Sequence, residues 1–288
     1  MMDLFKVPFS AGGNRPKLRV PEGACDTHLH IYHPDRFPYV TGDSSSQPSA
    51  TAEDYRLLQK RLGLTRNVIV TPSIYGTDNR CTLDALREFG DSARGVVVIE
   101  ETIPDEELEQ LHRAGVWGVR INMECGGMDD PEKISLLASK IAPFGWHMCF
   151  WMNADRILEW KDVFDRLPCQ LVFDHRGHLP AKKGTGHGAF SVITHLMEKG
   201  KAWVKLSALY HDSCVEGYRD TMEVGRAYVR AVPERVLWGT DWPHPSELHA
   251  PTGMPNDADM LDGLLFQAET EENVKRILVD NPQKLYGF

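Results

Sequence analysis

The sequence predicts an α/β protein folded as a single, somewhat distorted (β/α)8 barrel of the TIM type. Eight short apolar, β-branched runs alternate strictly with eight longer amphipathic stretches, the pattern of parallel βα units. Those units fill about 250 residues, the usual size of a closed barrel. An open doubly wound sheet favours a Gly-rich phosphate turn after its first strand, whereas here that strand runs into Ile31-Tyr32-His33-Pro34.

Strands are expected over 24–32, 67–73, 93–100, 115–123, 146–152, 169–175, 202–209 and 236–242. Helices are expected near 51–63, 79–89, 104–114, 131–142, 155–166, 188–199, 215–231 and 257–280. Thr51 and Asp130 stand where N-caps belong, and Pro104 and Pro131 suit first turns. Residues 1–23 read as an N-terminal extension and 24–288 as the barrel domain. The connection 33–49 carries Pro34, Pro38, Gly42 and Pro48. It follows the first strand, so it is expected to cover a substrate at the carboxyl face.

Hydrophobic residues at 42% and charged residues at 25% describe an ordinary globule with a sizeable core. Against 41 acidic residues stand 32 basic ones, giving a net charge of −9, and no dense Lys/Arg cluster suggests a nucleic-acid surface. Cys25, Cys81, Cys125, Cys149, Cys169 and Cys214 form no CxxC pair and read as thiols of a reducing compartment. No apolar run approaches the roughly 20 residues of a membrane span, and the polar start has no signal-peptide character. The expectation is a cytoplasmic protein with neither nucleic-acid nor membrane partners. Its oligomeric state, a homo-oligomer included, is left open.

Barrel enzymes draw their sites from the carboxyl ends of the strands. On the first strand His28 and His30, two apart, point the same way, with Asp26 on that face as well. Alone the pair reads rather as two ordinary strand histidines. What lifts it is His175 ending the sixth strand and Asp241 ending the eighth. The second strand brings Ser73 and Tyr75 toward the rim, or else merely a proline turn with a packed tyrosine. Arg120, on the fourth, would be costly inside a barrel mouth unless it meets an anion, so a substrate carboxylate is attractive. Trp151 and Asn153 end the fifth strand, while His147 starts it and reads as structural. Arg176 and His178 lie just past the sixth, and Lys205, Ser207, Tyr210 and His211 on or after the seventh.

His28-x-His30, His175 and Trp238-Gly239-Thr240-Asp241-Trp242-Pro243-His244 together resemble the amidohydrolase superfamily. Thr71-Pro72-Ser73-Ile74-Tyr75-Gly76, Gly118-Val119-Arg120, Val204-Lys205-Leu206-Ser207 and the terminal Asn281-Pro282-Gln283-Lys284-Leu285-Tyr286-Gly287 belong to the same pattern. The chain is similar to its branch of 2-pyrone-4,6-dicarboxylate lactonases, sugar-acid lactonases and lactone isomerases, from about residue 24 to the end. The resemblance implies a lactonase. Asp241 is expected as general base toward water, with His28, His30 and His175 donating to, or holding a metal against, the developing oxyanion. Arg120 would anchor a substrate carboxylate, with Ser73, Tyr75, Trp151, Asn153, Arg176, His178 and His211 completing the substrate-binding set.

Two departures shape the expectation. The fourth strand has no bridging Lys or Glu, and no His ends the fifth, so no cofactor is expected to be required; zinc, if held, would use His28, His30, His175 and Asp241. Further arginines of the pyrone-dicarboxylate enzymes are replaced by Gly126, His178 and His211. That favours a lactone with one anionic group, such as a sugar-acid lactone or a muconolactone, over a flat dicarboxylate. The alternatives are a lactone isomerase, a metal-dependent decarboxylase and a non-catalytic barrel that binds a small acid.

Overall fold

Eight parallel strands follow one another around the sheet in chain order, β1 to β8. The computed structural model describes residues 6–40, 47–124, 126–248, 250 and 253–288. The strands are β1 Cys25–Leu29, β2 Arg66–Val70, β3 Ala93–Val97, β4 Val116–Asn122, β5 His147–Trp151, β6 Gln170–Phe173, β7 Ala202–Leu206 and β8 Val236–Trp238. Around them lie α1 Ala52–Leu62, α2 Arg80–Phe89, α3 Asp105–Arg113, α4 Pro131–Ile141, α5 Ala154–Glu159, α6 Lys161–Arg166, α7 Gly188–Glu198, α8 Arg219–Ala231, α9 Asp257–Ala268, α10 Glu271–Lys275 and α11 Asn281–Tyr286.

All eight expected strands are present, but most end short of the expected boundary. At β6 and β8 the reason is visible, because the residues beyond the strand leave the extended region. His175 has φ 48°, Arg176 φ 60° and Asp241 φ 68°. Side chains other than glycine rarely occupy that left-handed region. The helix expected over 155–166 breaks at Trp160, and that over 257–280 breaks after Ala268. The stretch 215–231 starts late, because Gly217 and Tyr218 both have positive φ. Thr51 closes a capping box with Asp54, and Asp130 caps α4 ahead of Pro131. Pro104 precedes the first turn of α3 and offers no side-chain cap.

β8 returns to β1 through a bridge between Leu29 and Trp242, and the Asp241 N–H donates to the His28 carbonyl at 2.8 Å. The Asp26 carboxylate bolts this seam. It accepts from the backbone N–H groups of His28 and Thr240, each at 3.0 Å, and from the hydroxyls of Thr240 at 2.6 Å and Tyr55 at 3.0 Å. Gly239 makes the closure possible, since a Cβ there would sit 2.7 Å from the His28 Cβ.

Inside the lower barrel Val68, Val70, Val96, Val172 and Leu237 pack together, and Tyr286 of α11 packs with them. Arg94 holds α11 in place by donating to the carbonyls of Tyr286 and Gly287 at 3.0 and 2.9 Å. A larger apolar layer fills the space between strands and helices. The N-terminal segment is tied down: Trp242 Nε1–H donates to the Pro8 carbonyl at 2.9 Å, and the Leu18 N–H to Asp262 at 2.8 Å. Cys25, Cys81, Cys149 and Cys169 are buried free thiols and Cys214 an exposed one, while Cys125 lies outside the described residues. Among the described residues no helix is long and apolar enough to cross a membrane.

Candidate active site

Four expected residues from three distant stretches of chain meet at the carboxyl mouth. Asp241 Oδ1 lies 3.3 Å from His28 Nε2, 3.5 Å from His30 Nε2 and 3.9 Å from His175 Nε2, and all four side chains are buried. His28 projects from β1 and His30 from the residue just past it. His175 and Asp241 reach the same point because positive φ swings them off the ends of β6 and β8. The other oxygen, Asp241 Oδ2, accepts the Tyr210 hydroxyl at 2.6 Å.

Burial pushes the Asp241 carboxyl upward, but the imidazoles of His175 and His28 outweigh it and hold the group well below the usual carboxylate range. Asp241 is therefore ionised. Burial keeps His175 neutral, far below the ordinary imidazole value, and brings His30 down to about 4.

Hydrogen-bond partners decide which nitrogen of each ring faces the cavity. His30 Nδ1 sits 2.8 Å from the Val70 carbonyl, which can only accept. Neutral His30 carries its proton there and presents a lone pair at Nε2, so the expectation that it donates to an oxyanion is corrected. His28 Nδ1 faces both the Lys205 ammonium at 3.0 Å and Asp174 at 3.1 Å. Donation from Lys205 puts the His28 proton on Nε2, facing Asp241, whereas donation to Asp174 puts it on Nδ1 and leaves Nε2 the lone pair a metal ligand needs. His175 Nδ1 pairs with the Ser207 hydroxyl at 2.9 Å.

The donor set fits a divalent ion. Ligand atoms of His28, His175 and Asp241 lie within 4.8 Å of one another, His28 Nε2 is buried without a hydrogen-bond partner among the described residues, and His30 Nε2 aims a lone pair at Asp241. As expected from the sequence, β4 offers Arg120 where a bridging ligand would stand, and β5 ends in Trp151.

A cavity of about 480 Å³ opens above this cluster, lined among others by Ser73, Arg120, Trp151 and His211. Arg120 is the one Lys or Arg among its described lining residues. Its guanidinium lies 5.4 Å from the centre of the Trp151 ring and donates to the Thr71 carbonyl at 3.3 Å, while Nε is buried without a partner among the described residues. Ser73 pairs closely with Asn122. Gln47 and Tyr32 also line the cavity, so the connection after β1 does reach it, although 41–46 lie outside the described residues.

The other expected contacts divide. His178 lines a neighbouring groove of about 660 Å³ that shares Trp151 and His211 with the cavity, and its Nδ1 pairs with Asp212 at 3.1 Å. Asn153 lines the same groove, but its side chain caps α5 by accepting from the Arg156 N–H at 3.0 Å. Arg176 is buried and faces away: its guanidinium donates to the carbonyls of Ser207, Ala208 and His211. Tyr75 is fully buried, accepts the His33 N–H at 3.0 Å and does not line the cavity. Neither Arg176 nor Tyr75 is placed to meet a substrate, because the backbone turns both toward loop groups that need partners.

Sequence reasoning missed the support beneath the cluster. Asp174 and Lys205 form a buried ion pair at 3.1 Å, and the Cys149 thiol donates to Asp174 at 3.1 Å. A lysine at an inward position of a strand calls for a buried anion, and that signal was available in Val204-Lys205-Leu206-Ser207. The pairing of Tyr210 with Asp241 depends on loop geometry and carries no comparable mark.

A family model described as amidohydrolase matches residues 25–288. A 2-pyrone-4,6-dicarboxylate hydrolase of Comamonas testosteroni is 36% identical, over 96% of this chain and 94% of its own length. A 4-sulfomuconolactone hydrolase of Hydrogenophaga intermedia is 32% identical, over 95% and 92%. An apo crystal structure from Agrobacterium tumefaciens superposes with a TM-score of 0.88 at 28% identity, covering 97% of this chain and 98% of that one.

Proposed function

The chain belongs to the amidohydrolase family, and we propose that it hydrolyses the ring ester of a small lactone bearing one anionic group, of the sugar-acid or muconolactone kind. The observation that carries this reading is the Asp241 carboxylate, ringed by three imidazoles at 3.3–3.9 Å beneath a cavity whose described lining residues include one Lys or Arg, Arg120.

Two acceptors, Asp241 Oδ1 and His30 Nε2, face each other at 3.5 Å. A water donating one proton to each satisfies both and is held for attack on the lactone carbonyl. Asp241 takes a proton from that water as the carbon–oxygen bond forms. His28, through Nε2–H, and His175 bear on the oxygen where negative charge collects. When the tetrahedral adduct collapses, the ring C–O bond breaks and Asp241 returns its proton to the departing ring oxygen. Arg120 holds the substrate's anionic group in the upper cavity, stacked beside Trp151. His211 and His178 offer contacts to the remaining oxygens. Zinc held by His28, His30, His175 and Asp241 would polarise the same carbonyl and acidify water. The route above runs on the chain's own groups.

The test is turnover of a panel containing muconolactone, 4-sulfomuconolactone, aldarolactones and 2-pyrone-4,6-dicarboxylate in ¹⁸O-labelled water. Label in the new carboxylate of a product supports hydrolysis. Product without label means that a substrate hydroxyl replaced water, which is isomerisation. No turnover of any panel member overturns the reading.

A further inference from the structure

Asp241 has one oxygen for chemistry and one for orientation, and a buried chain of side chains serves the second. Tyr210 donates to Asp241 Oδ2 at 2.6 Å. A phenol has one proton, so its oxygen is left to accept, and His244 Nδ1 lies 3.1 Å away. His244 Nε2 in turn meets Asp257 Oδ2 at 3.2 Å. Both His244 and Asp257 are wholly cut off from water. Tyr210 comes from the loop after β7, His244 from the loop after β8, and Asp257 is the first residue of α9.

From this geometry we infer that Tyr210 is a positioning residue for the general base, held in place by His244 and Asp257. The inference rests on the lactonase reading of Asp241. The clamp fixes rotation of the carboxylate about its Cβ–Cγ bond. With Oδ2 engaged, Oδ1 faces the three imidazoles and the cavity, where the water to be activated must lie. A freely rotating carboxylate would turn its plane away from the water and lose that alignment, and displacements on the order of 1 Å cost about a hundredfold in rate. The anchor is rigid: the His244 N–H also donates to the Asp241 carbonyl at 2.8 Å, and the Asp257 N–H to the Ser10 hydroxyl at 3.3 Å. Tyr210 therefore sets the register of the base without touching the substrate.

The experiment compares Tyr210→Phe, His244→Ala, His244→Asn and the Tyr210→Phe/His244→Ala double variant on whichever panel lactone the wild type turns over fastest. Tyr210→Phe and His244→Ala are expected to lower kcat about ten- to hundredfold with KM within twofold. The double variant should be no slower than Tyr210→Phe alone, because both changes break one chain. His244→Asn, whose amide can donate near the Nδ1 position, should recover part of the loss. The inference is overturned if Tyr210→Phe keeps kcat within twofold, if KM moves as far as kcat, or if the two losses multiply. Should His244→Ala fail to fold, Tyr210→Phe, which removes one oxygen atom, carries the test alone. Asp241→Asn in the same assay separates the two claims: if it is inactive while Tyr210→Phe is unimpaired, the clamp falls and the base stands. Should the wild type turn over no panel lactone, the lactonase reading falls, and the clamp is judged by proton NMR. A downfield hydroxyl resonance lost in Tyr210→Phe and weakened in His244→Ala keeps it; absence of that resonance in the wild type removes it.

Discussion

The Asp174 carboxylate and the Lys205 ammonium meet at 3.1 Å with both side chains wholly sealed from water, against the Nδ1 edge of His28. Burial opposes both charges, but Lys205 together with His28 outweighs it for Asp174, and Asp174 with its neighbours outweighs it for Lys205. Asp174 is held well below the usual carboxylate range and Lys205 above the usual amine range. The pair thus does for His28 what the Val70 carbonyl does for His30, controlling the far nitrogen and through it the near one.

Removing one partner should expose the cost of the other. Lys205→Met leaves a buried, uncompensated carboxylate and is expected to lose about 3–5 kcal/mol of stability. Lys205→Met combined with Asp174→Leu should recover much of that loss. Urea unfolding of the two variants checks both statements, and a single variant as stable as wild type would mean that the charges are not confined as described.

His147 gives the fold a defined acid sensitivity. It lies in the barrel interior, where the ring meets Tyr286 edge-on at 5.2 Å. Burial, aided by the Lys205 charge, lowers its pKa to about 3. The folded protein keeps this imidazole neutral, while the unfolded chain protonates it below about 6.5. Its contribution to stability is therefore full above pH 6.5 and is lost as pH falls from 6.5 toward 3, at roughly 1.4 kcal/mol per pH unit. His147→Asn should flatten the stability–pH curve by one proton over that window, in urea melts at pH 4, 5 and 6. An equally steep curve in the variant would assign the acid sensitivity elsewhere.

The order of the strands and the identity of the converging cluster were legible because both depend on periodicity and on position along the chain. Parallel strands buried on both faces announce themselves as apolar runs, and chemistry gathers at their carboxyl ends. Side-chain direction past those ends was not legible. Arg176 follows His175 directly, yet its φ of 60° aims the guanidinium at the carbonyls of the β7 loop. Tyr75 shares the 73–75 turn with Ser73 and Ile74, which line the cavity, while Tyr75 does not. A pattern with period two stops informing once the backbone leaves the strand, and the loops that hold Arg176, Tyr210 and Asp241 all lie beyond that limit.

Arg120 should govern binding more than chemistry. Its charge lines the cavity about which the other described residues offer no second Lys or Arg. Arg120→Met is expected to weaken binding of an anionic lactone by about 2–3 kcal/mol, a roughly 30- to 150-fold rise in KM. Arg120→Lys should restore only part of this, because an ammonium keeps the charge but not the planar fork. A lactone without an anionic group should respond little to either change. Steady-state kinetics on the pair of substrates decides the matter, and an unchanged KM for the anionic one would place its charged group elsewhere.

Chelation tests which chemistry the convergent donors perform. The donor set can hold zinc, but the hydrolytic route assigned above uses Asp241, His28, His30 and His175 directly. Activity is expected to survive dialysis against a chelator, with less than one equivalent of zinc remaining by elemental analysis. Loss of activity that returns on adding zinc would move the polarising role from the imidazoles to the ion.

Asp241→Asn is the sharpest change at the centre. The amide preserves shape, and its carbonyl oxygen can still accept the Tyr210 hydroxyl, but it takes no proton from water. kcat should fall by about 10²–10⁴-fold. Binding of a product hydroxy acid should persist, since Arg120 and the cavity walls are untouched. The charge change works in the same direction: three imidazoles now surround a neutral group, so an anionic ligand meets less repulsion and binds no more weakly than to wild type. Calorimetric titration of the product beside single-turnover kinetics separates the two effects. Retained turnover in Asp241→Asn would transfer the base role to another group, with His30 the nearest acceptor aimed at the same water.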